Sequence, residues 1–289
     1  MKMLLIIIVV ILFICFVECV REICTFQVTH YKIHSDKLKN IHPKKIVLLS
    51  DLHNCSYGKN NEKLLQVIKR ENPDMILIAG DMLVGKKGVS TEVARKFLKE
   101  LPKICNTYYA NGNHEQRMKN DPEKYGDTYR VYNRFLKSQG VLYLENEKGI
   151  EKWDELEVEV LGLEIPDNAY GKFCKVSIPE DYVEQCFGKA DDTKFQILIA
   201  HNPLFVKQYL NWGGDLIVSG HLHGGVVRIP FWRGIISPQG GLFPKYSGEM
   251  KKEGETTVIV SKGIGLHTIP VRLLNPTEVI VLHIGDSEE

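Results

Sequence analysis

The chain opens with fifteen unbroken apolar residues, Met3 to Val17, behind a single Lys2; beyond them the apolar residues fall into short bursts. Five bursts share one form. Lys45 to Leu49, Met75 to Ala79, Asn106 to Ala110, Phe195 to Ala200 and Asp215 to Val218 are rich in Ile, Val, Leu or Tyr and are bounded by polar residues or Gly. Runs of that length and composition predict buried strands. Between them the period lengthens: Leu64, Leu65, Val67 and Ile68 predict a helix over Asn61 to Glu71, stopped by Asn72-Pro73. Val93 to Leu101, Tyr129 to Ser138, Pro179 to Cys186 and Pro203 to Asn211 also predict helices. Leu156 to Leu163 predicts a further strand, and Thr256 to Ser261 with Glu278 to Ile284 a β tail. Thr25 to Lys39 reads as an extended lead-in of mixed polarity. Strands alternating with helices define an α/β chain, best described as sheets sandwiched between helices.

The apolar N-terminus is a targeting or membrane segment. A cleaved signal peptide wants a small-residue cleavage site, and Cys15 to Cys24 offers no A-x-A pattern. A spanning helix needs about 20 residues, and the run is apolar on every face, unlike a core helix. The expectation is an uncleaved signal anchor over 1–24, a lead-in over 25–44 and one catalytic domain over 45–289. Charge alone argues for a cytoplasmic domain, because Arg21, Lys32, Lys37, Lys39, Lys44 and Lys45 come after the span. Signal anchors commonly export the domain attached behind them, and the reading adopted is the outer face of the membrane.

Composition narrows the function classes. At 289 residues, 44% hydrophobic and 25% charged, the chain can bury a large core, and a net charge of +1 argues against a dedicated nucleic-acid binder. Cys15, Cys19 and Cys24 lie in or beside the anchor, while Cys55, Cys105, Cys174 and Cys186 are scattered without a C-x-x-C pair. Neither a zinc knuckle nor a disulfide framework is implied. Cys55 is close in sequence to Asp51 and His53, but a buried free thiol is its default reading.

The candidate chemistry sits directly after the five strands, in Ser50-Asp51-Leu52-His53, Gly80-Asp81, Gly112-Asn113-His114-Glu115, His201-Asn202 and Gly220-His221-Leu222-His223. In α/β folds the ligand crevice lies at the carboxyl ends of strands, so residues far apart in sequence meet there. Asp51 and His53 can point into one pocket; Asp81 supplies a second carboxylate, with a helix N-cap as its plainer alternative. Asn113 supplies a neutral oxygen, or alternatively a left-handed turn. His221 and His223, framed by glycines and preceded by His201, can both face a metal. The set is all nitrogen and oxygen, which suits two divalent ions such as manganese, iron or zinc. Without cations, these acids and imidazoles would be costly to gather in a buried cleft.

In this order and spacing, D-x-H, G-D, G-N-H-E, H-N and G-H-x-H resemble the calcineurin-like metallophosphoesterases. Val260 to Gly265, Pro270-Val271-Arg272 and Pro276-Thr277-Glu278 are further similar to the membrane-associated branch that includes UDP-2,3-diacylglucosamine pyrophosphatase-like enzymes. The resemblance implies a β-sandwich of two mixed sheets flanked by helices (αββα). It implies that Asp51, His53 and His223 hold one ion, that Asn113, His201 and His221 hold the other, and that Asp81 bridges them. It implies hydrolysis of a phosphodiester, phosphomonoester or pyrophosphate by a hydroxide shared between the ions, with His114 as general acid. Glu115 stands where the family more often has Asp. Arg233, His267 and Arg272 are expected substrate contacts. The stretch Gly224 to Tyr246, with Pro230, Phe231, Trp232, Arg233, Leu242, Phe243 and Lys245, reads either as a cleft wall for a phospholipid or lipid-linked diphosphate, or as core packing. The contrasting expectation is a non-catalytic metal-binding scaffold at the membrane.

Overall fold

Side chains along the central strands alternate between two apolar layers, and this period of two stacks the molecule. In the computed structural model, residues 1–171, 176–225, 228, 234–236, 241–266 and 271–285 are described. The strands, in chain order, are β1 (Phe26–Ile33), β2 (Lys44–Leu49), β3 (Met75–Ala79), β4 (Asn106–Ala110), β5 (Leu142–Leu144), β6 (Glu147–Trp153), β7 (Leu156–Leu163), β8 (Phe195–Ala200), β9 (Leu216–Ser219), β10 (Met250–Glu253), β11 (Thr256–Val260) and β12 (Thr277–Ile284). They form two six-stranded mixed sheets, ordered β1-β12-β2-β3-β4-β5 and β10-β11-β9-β8-β7-β6. Strands β2 to β5 run parallel in the first sheet, and β7, β8, β9 and β11 run parallel in the second.

Ile46 and Leu48 of β2, Met75 and Leu77 of β3, and Phe195, Ile197 and Ile199 of β8 fill the space between the sheets. The alternate residues face outward. Val47, Leu49, Ile76 and Ile78 pack against the helices α2 (Glu62–Glu71), α3 (Glu92–Leu98) and, beyond α4 (Asn113–Asn120) and α5 (Pro122–Tyr125), α6 (Thr128–Ser138). Leu198 and Ala200 pack against α7 (Tyr182–Phe187) and α8 (Val206–Trp212). The result is two mixed sheets flanked by helices, the αββα architecture expected from the resemblance.

Several elements differ from the expected ones for local reasons. The helix expected to reach Leu101 ends at Leu98, and Leu101–Lys103 forms a 3-10 turn around Pro102, which cannot donate a backbone hydrogen bond. The helix expected from Pro203 begins as a 3-10 turn, Pro203–Phe205, and becomes α-helical at Val206. The helix expected from Pro179 starts at Tyr182. The lead-in contributes β1, which pairs in parallel with β12, Phe26 opposite Thr277. Ahead of it, the helix α1 (Lys2–Cys24) is exposed over its apolar run, buries Glu22 in its last turn and, at 23 residues, is about 34 Å long. It is a candidate membrane anchor, since a hydrocarbon core is about 30 Å thick.

The sheets pack tightly where Gly162 of β7 faces Leu144 of β5. A β-carbon on Gly162 would lie 2.4 Å from Leu144 Cβ and 2.8 Å from Leu144 O. Gly162→Ala is therefore expected to destabilise the protein by about 1–3 kcal/mol through overpacking, measured as a lower urea midpoint of the detergent-solubilised chain.

Candidate metal centre

The candidate site lies where the carboxyl ends of β2, β3 and β4 meet those of β8 and β9. Hydrogen bonds stitch the turns together. Asp51 N donates to Gly80 O at 3.0 Å and His53 N to Asp81 O at 3.1 Å, joining the turns after β2 and β3. Across the sheets, His201 Nδ1 donates to Ala79 O at 2.5 Å, and His221 N donates to Asp51 Oδ2 at 3.0 Å. The turn after β3 presses on the one after β4. Gly80 has φ +79°, and a β-carbon there would lie 2.3 Å from Gly112 N.

Five of the site residues hold left-handed backbone: Asp51 (φ 54°), His53 (48°), Asp81 (55°), His221 (68°) and His223 (50°). Residues with a β-carbon rarely adopt this region, although Asp and His tolerate it better than most. Such conformations persist only where the surroundings enforce them, and they cluster at functional sites.

The side chains converge. His223 Nε2 lies 3.1 Å from His53 Nε2 and 3.3 Å from Asp51 Oδ1; His53 Nε2 is 3.7 Å from Asp51 Oδ1. Those separations match donors sharing one ion with bonds of about 2.0–2.2 Å. Asp81 Oδ2 lies 3.2 Å from His201 Nε2 and 3.9 Å from each of His53 Nε2 and His114 Nε2. Donor atoms of Asp51, His53 and His223, of His53, Asp81 and His114, and of Asp81, His201 and His221 all cluster within 4.8 Å. Asp81 thus belongs to two of the three clusters, as does His53.

Burial opposes charge at both carboxylates, yet the neighbouring imidazoles prevail. His223 and His201 hold Asp51 below the usual carboxylate range, and His201 and His114 do the same for Asp81. Burial pushes His53 down to about 3. At His201 burial again opposes charge, but Asp81 and Asp51 hold the ring up at about 9. The cavity therefore attracts positive charge.

Two buried atoms show what kind of positive charge it suits. Asn113 Oδ1 and His201 Nε2 have no hydrogen-bond partner. His201 donates from Nδ1 to Ala79 O, which leaves a lone pair on Nε2 in the neutral ring, and the 3.2 Å approach to Asp81 is not aligned as a hydrogen bond. With the ring held up at about 9 a proton occupies that gap, and a divalent ion can take the proton's place. Buried polar atoms are nearly always satisfied, so these two orphans fit metal ligands.

His114 sits beside this cluster at the start of α4. Its Nδ1 accepts from Gly85 N at 2.8 Å, so Nδ1 carries a lone pair and the ring proton belongs on Nε2, toward the site. Burial pushes its pKa down. Glu115, fully buried, binds the turns after β3 and β4: it accepts from Asp81 N and Met82 N at 2.9 Å each, Gly112 N at 3.0 Å and the Tyr109 hydroxyl at 2.7 Å. Burial and the Asp81 carboxylate push Glu115 up to about 7.

The remaining expectations fare differently. Arg272 is buried behind His223, its Nη2 donating to Gly265 O at 2.7 Å and Lys262 O at 2.8 Å and lying 3.2 Å from His223 Nδ1. That placement corrects its reading as a substrate contact. Cys55 packs against the core under the first sheet and belongs to none of the donor clusters. Arg233, His267, Pro230, Phe231, Trp232 and Cys174 lie outside the described residues. Sequence reasoning missed Gly85, which acts through its backbone, and Tyr170, whose ring lies 5.3 Å from that of His221.

Fold and donor set together define an α/β metallophosphoesterase. A model of the calcineurin-like phosphoesterase family matches residues 44–225, and the chain belongs to that family. It is 27% identical over 245 residues to the uncharacterized metallophosphoesterase YkuE of Bacillus subtilis, covering 82% of this chain and 77% of that protein. It is 24% identical over 282 residues to a transmembrane protein with metallophosphoesterase domain from Danio rerio, covering 88% of this chain and 56% of the longer relative. It is also 23% identical over 228 residues to the phosphodiesterase YaeI of Escherichia coli, covering 78% and 77%.

Glu115→Gln turns an amide group toward backbone N–H donors. The expected loss is roughly 2–4 kcal/mol, since each buried donor left unsatisfied costs about 1–3 kcal/mol. Urea unfolding at pH 8, where the wild-type carboxyl is ionised, measures it.

Proposed function

We propose that the protein is a membrane-tethered, metal-dependent phosphoesterase that hydrolyses a phosphodiester, phosphomonoester or pyrophosphate with two divalent ions. The observation that carries this reading is the pair of orphaned donors, Asn113 Oδ1 and His201 Nε2, beside a carboxylate that belongs to two donor clusters. In this reading Asp51, His53 and His223 hold one ion, Asn113, His201 and His221 the other, and Asp81 lies between them. The donors suit manganese, iron or zinc. When bound, the ions would lower the pKa of a water and withdraw charge from the phosphate oxygens during in-line displacement.

The chain's own groups do the rest. His114 N donates to Asp81 Oδ1 at 2.8 Å, which leaves Oδ2 turned toward the other donors. A general acid in the imidazolium form would need protons on both ring nitrogens of His114, and the Gly85 amide occupies the Nδ1 lone pair. The role this geometry supports is a neutral Nε2–H donor to a phosphate or leaving-group oxygen, a revision of the general-acid expectation.

A site facing the bilayer is supported by apolar side chains on linked loops. Val271, Leu274, Ile236, Leu242 and Phe243 are exposed, Leu242 by 67%. Arg228 N donates to Leu273 O, Arg228 bridges to Gly234 and Phe243 N donates to Ile235 O, so these loops are tied together. With α1 as anchor, such a surface suits a phospholipid or lipid-linked diphosphate, with the domain on the outer face of the membrane.

The test uses bis-p-nitrophenyl phosphate, a phosphodiester like the substrates implied by the name of the Escherichia coli relative. Turnover with added manganese is expected, and none in excess chelator. Asp81→Asn should abolish it. Full inactivity of a metal-loaded wild-type protein toward soluble and lipid phosphoesters would leave the scaffold reading instead.

His114→Ala should lower kcat by about 10²–10³, as for loss of one preorganised donor. Its pH behaviour separates the two roles. A pKa held below the ordinary 6.5 means the imidazolium loses its proton before pH 6.5, so the ring stays neutral above it. The ratio of wild-type to His114→Ala rates should therefore stay constant from pH 7 to 9. An imidazolium acid would instead make that ratio fall as the pH rises.

A further inference from the structure

The last turn of α1 reaches into the domain. Glu22 is 1% exposed, and both its carboxylate oxygens accept from Asn275 N at 3.0 Å. Asn275 is itself fully buried, and its Nδ2 donates to His223 O at 2.7 Å and to Gly225 O. Arg272 completes the bracket, with Nη1 donating to Asn275 O at 3.2 Å and Nη2 lying 3.2 Å from His223 Nδ1. The next residues repeat the attachment: the Thr277 hydroxyl donates to Thr25 O at 2.7 Å, and β1 comes directly after in register with β12. One short turn, Arg272 to Asn275, thus touches the anchor helix on one side and a candidate metal ligand on the other.

We propose that the anchor helix is a structural part of the metal site, with Glu22 acting through Asn275 as a positioning residue for His223, whose backbone carbonyl Asn275 holds. The inference rests on the metallophosphoesterase reading above. Its physical basis is that a buried amide without an acceptor is unstable. Without Glu22, the Asn275 N–H must seek another partner, and the side chain clamped on His223 O and Gly225 O moves with it. Partners behind metal ligands typically contribute 10–100-fold in metal affinity. The ion held by Asp51, His53 and His223 should feel this most, because Asn275 holds the backbone of His223 itself, whereas His221 is tied by its own N–H to Asp51 Oδ2 and His201 and Asn113 stand on other strands.

The test is manganese binding by calorimetry to the full-length chain in nanodiscs, comparing wild type with Glu22→Ala and Glu22→Gln. The expected result is two binding steps in the wild type and a loss of about tenfold or more in one of them in Glu22→Ala, the other step staying within twofold. Glu22→Gln keeps one neutral acceptor and should lose only about two- to fivefold, which keeps the test open if the alanine variant fails to fold. Unchanged affinity in the folded variants, or an equal loss in both steps, overturns the inference while leaving the hydrolase reading intact. A wild-type chain that binds no manganese, zinc or iron overturns both.

Discussion

Two buried carboxylates at the seam between the sheets set the constraint on which the site depends. Asp51 and Asp81 are removed from water and kept ionised by imidazoles. Moving charges out of water costs several kcal/mol per ion unless they are well paired. Here the pairing is incomplete. His201 offsets Asp81 only by holding a proton, and its Nε2, 3.2 Å from the carboxylate, is not aligned as a hydrogen bond. A pair of cations would satisfy acids, amide and imidazoles together. Backbone strain points the same way, because five left-handed residues around one cavity are an expense that a merely structural cluster has no use for.

The sheets make this concentration possible. Parallel strands end on the same side, so β2, β3 and β4 deliver their turns together, and β8 and β9 do the same from the opposing sheet. The interlayer core holds the two sets in place, with Ala79 of β3 both packed between the sheets and hydrogen-bonded to the His201 ring. A single contact then carries packing and orientation at once. It also fixes which imidazole nitrogen faces the cavity.

Much of this was legible in sequence because buried strands announce themselves locally. Met75–Ala79, Asn106–Ala110, Leu156–Leu163 and Phe195–Ala200 have the expected bounds, each being a continuous run of side chains that fit a covered sheet. Glu147–Trp153 escaped notice: its EKGIEKW pattern is that of an exposed edge strand, paired on one side only. Phe26–Ile33 shows a mixed pattern whose partner, β12, lies about 250 positions away in the chain. At the site, the donors could be read because they stand just beyond strands. Gly85, Asn275 and Glu22 could not, since their contacts use backbone groups or unite distant segments without any local periodicity. Arg272 was misread because a cation near the phosphate motifs resembles a phosphate ligand, whereas burial commits it to carbonyls.

Glu115 shows how a departure from a family pattern can be explained by geometry. It occupies the third position of α4, where its carboxylate reaches back to the N-cap amide of Gly112, the glutamate half of a capping box. The same two oxygens also reach the amides of Asp81 and Met82 in the neighbouring turn. One residue therefore caps the helix that presents Asn113 and His114 and fixes the turn that presents Asp81. Gly80 brings those two turns to backbone contact, so one carboxylate can reach the amides of both. The position of Asp81, a member of two donor clusters, therefore depends on a glutamate that belongs to none of them and holds the Asp81 backbone.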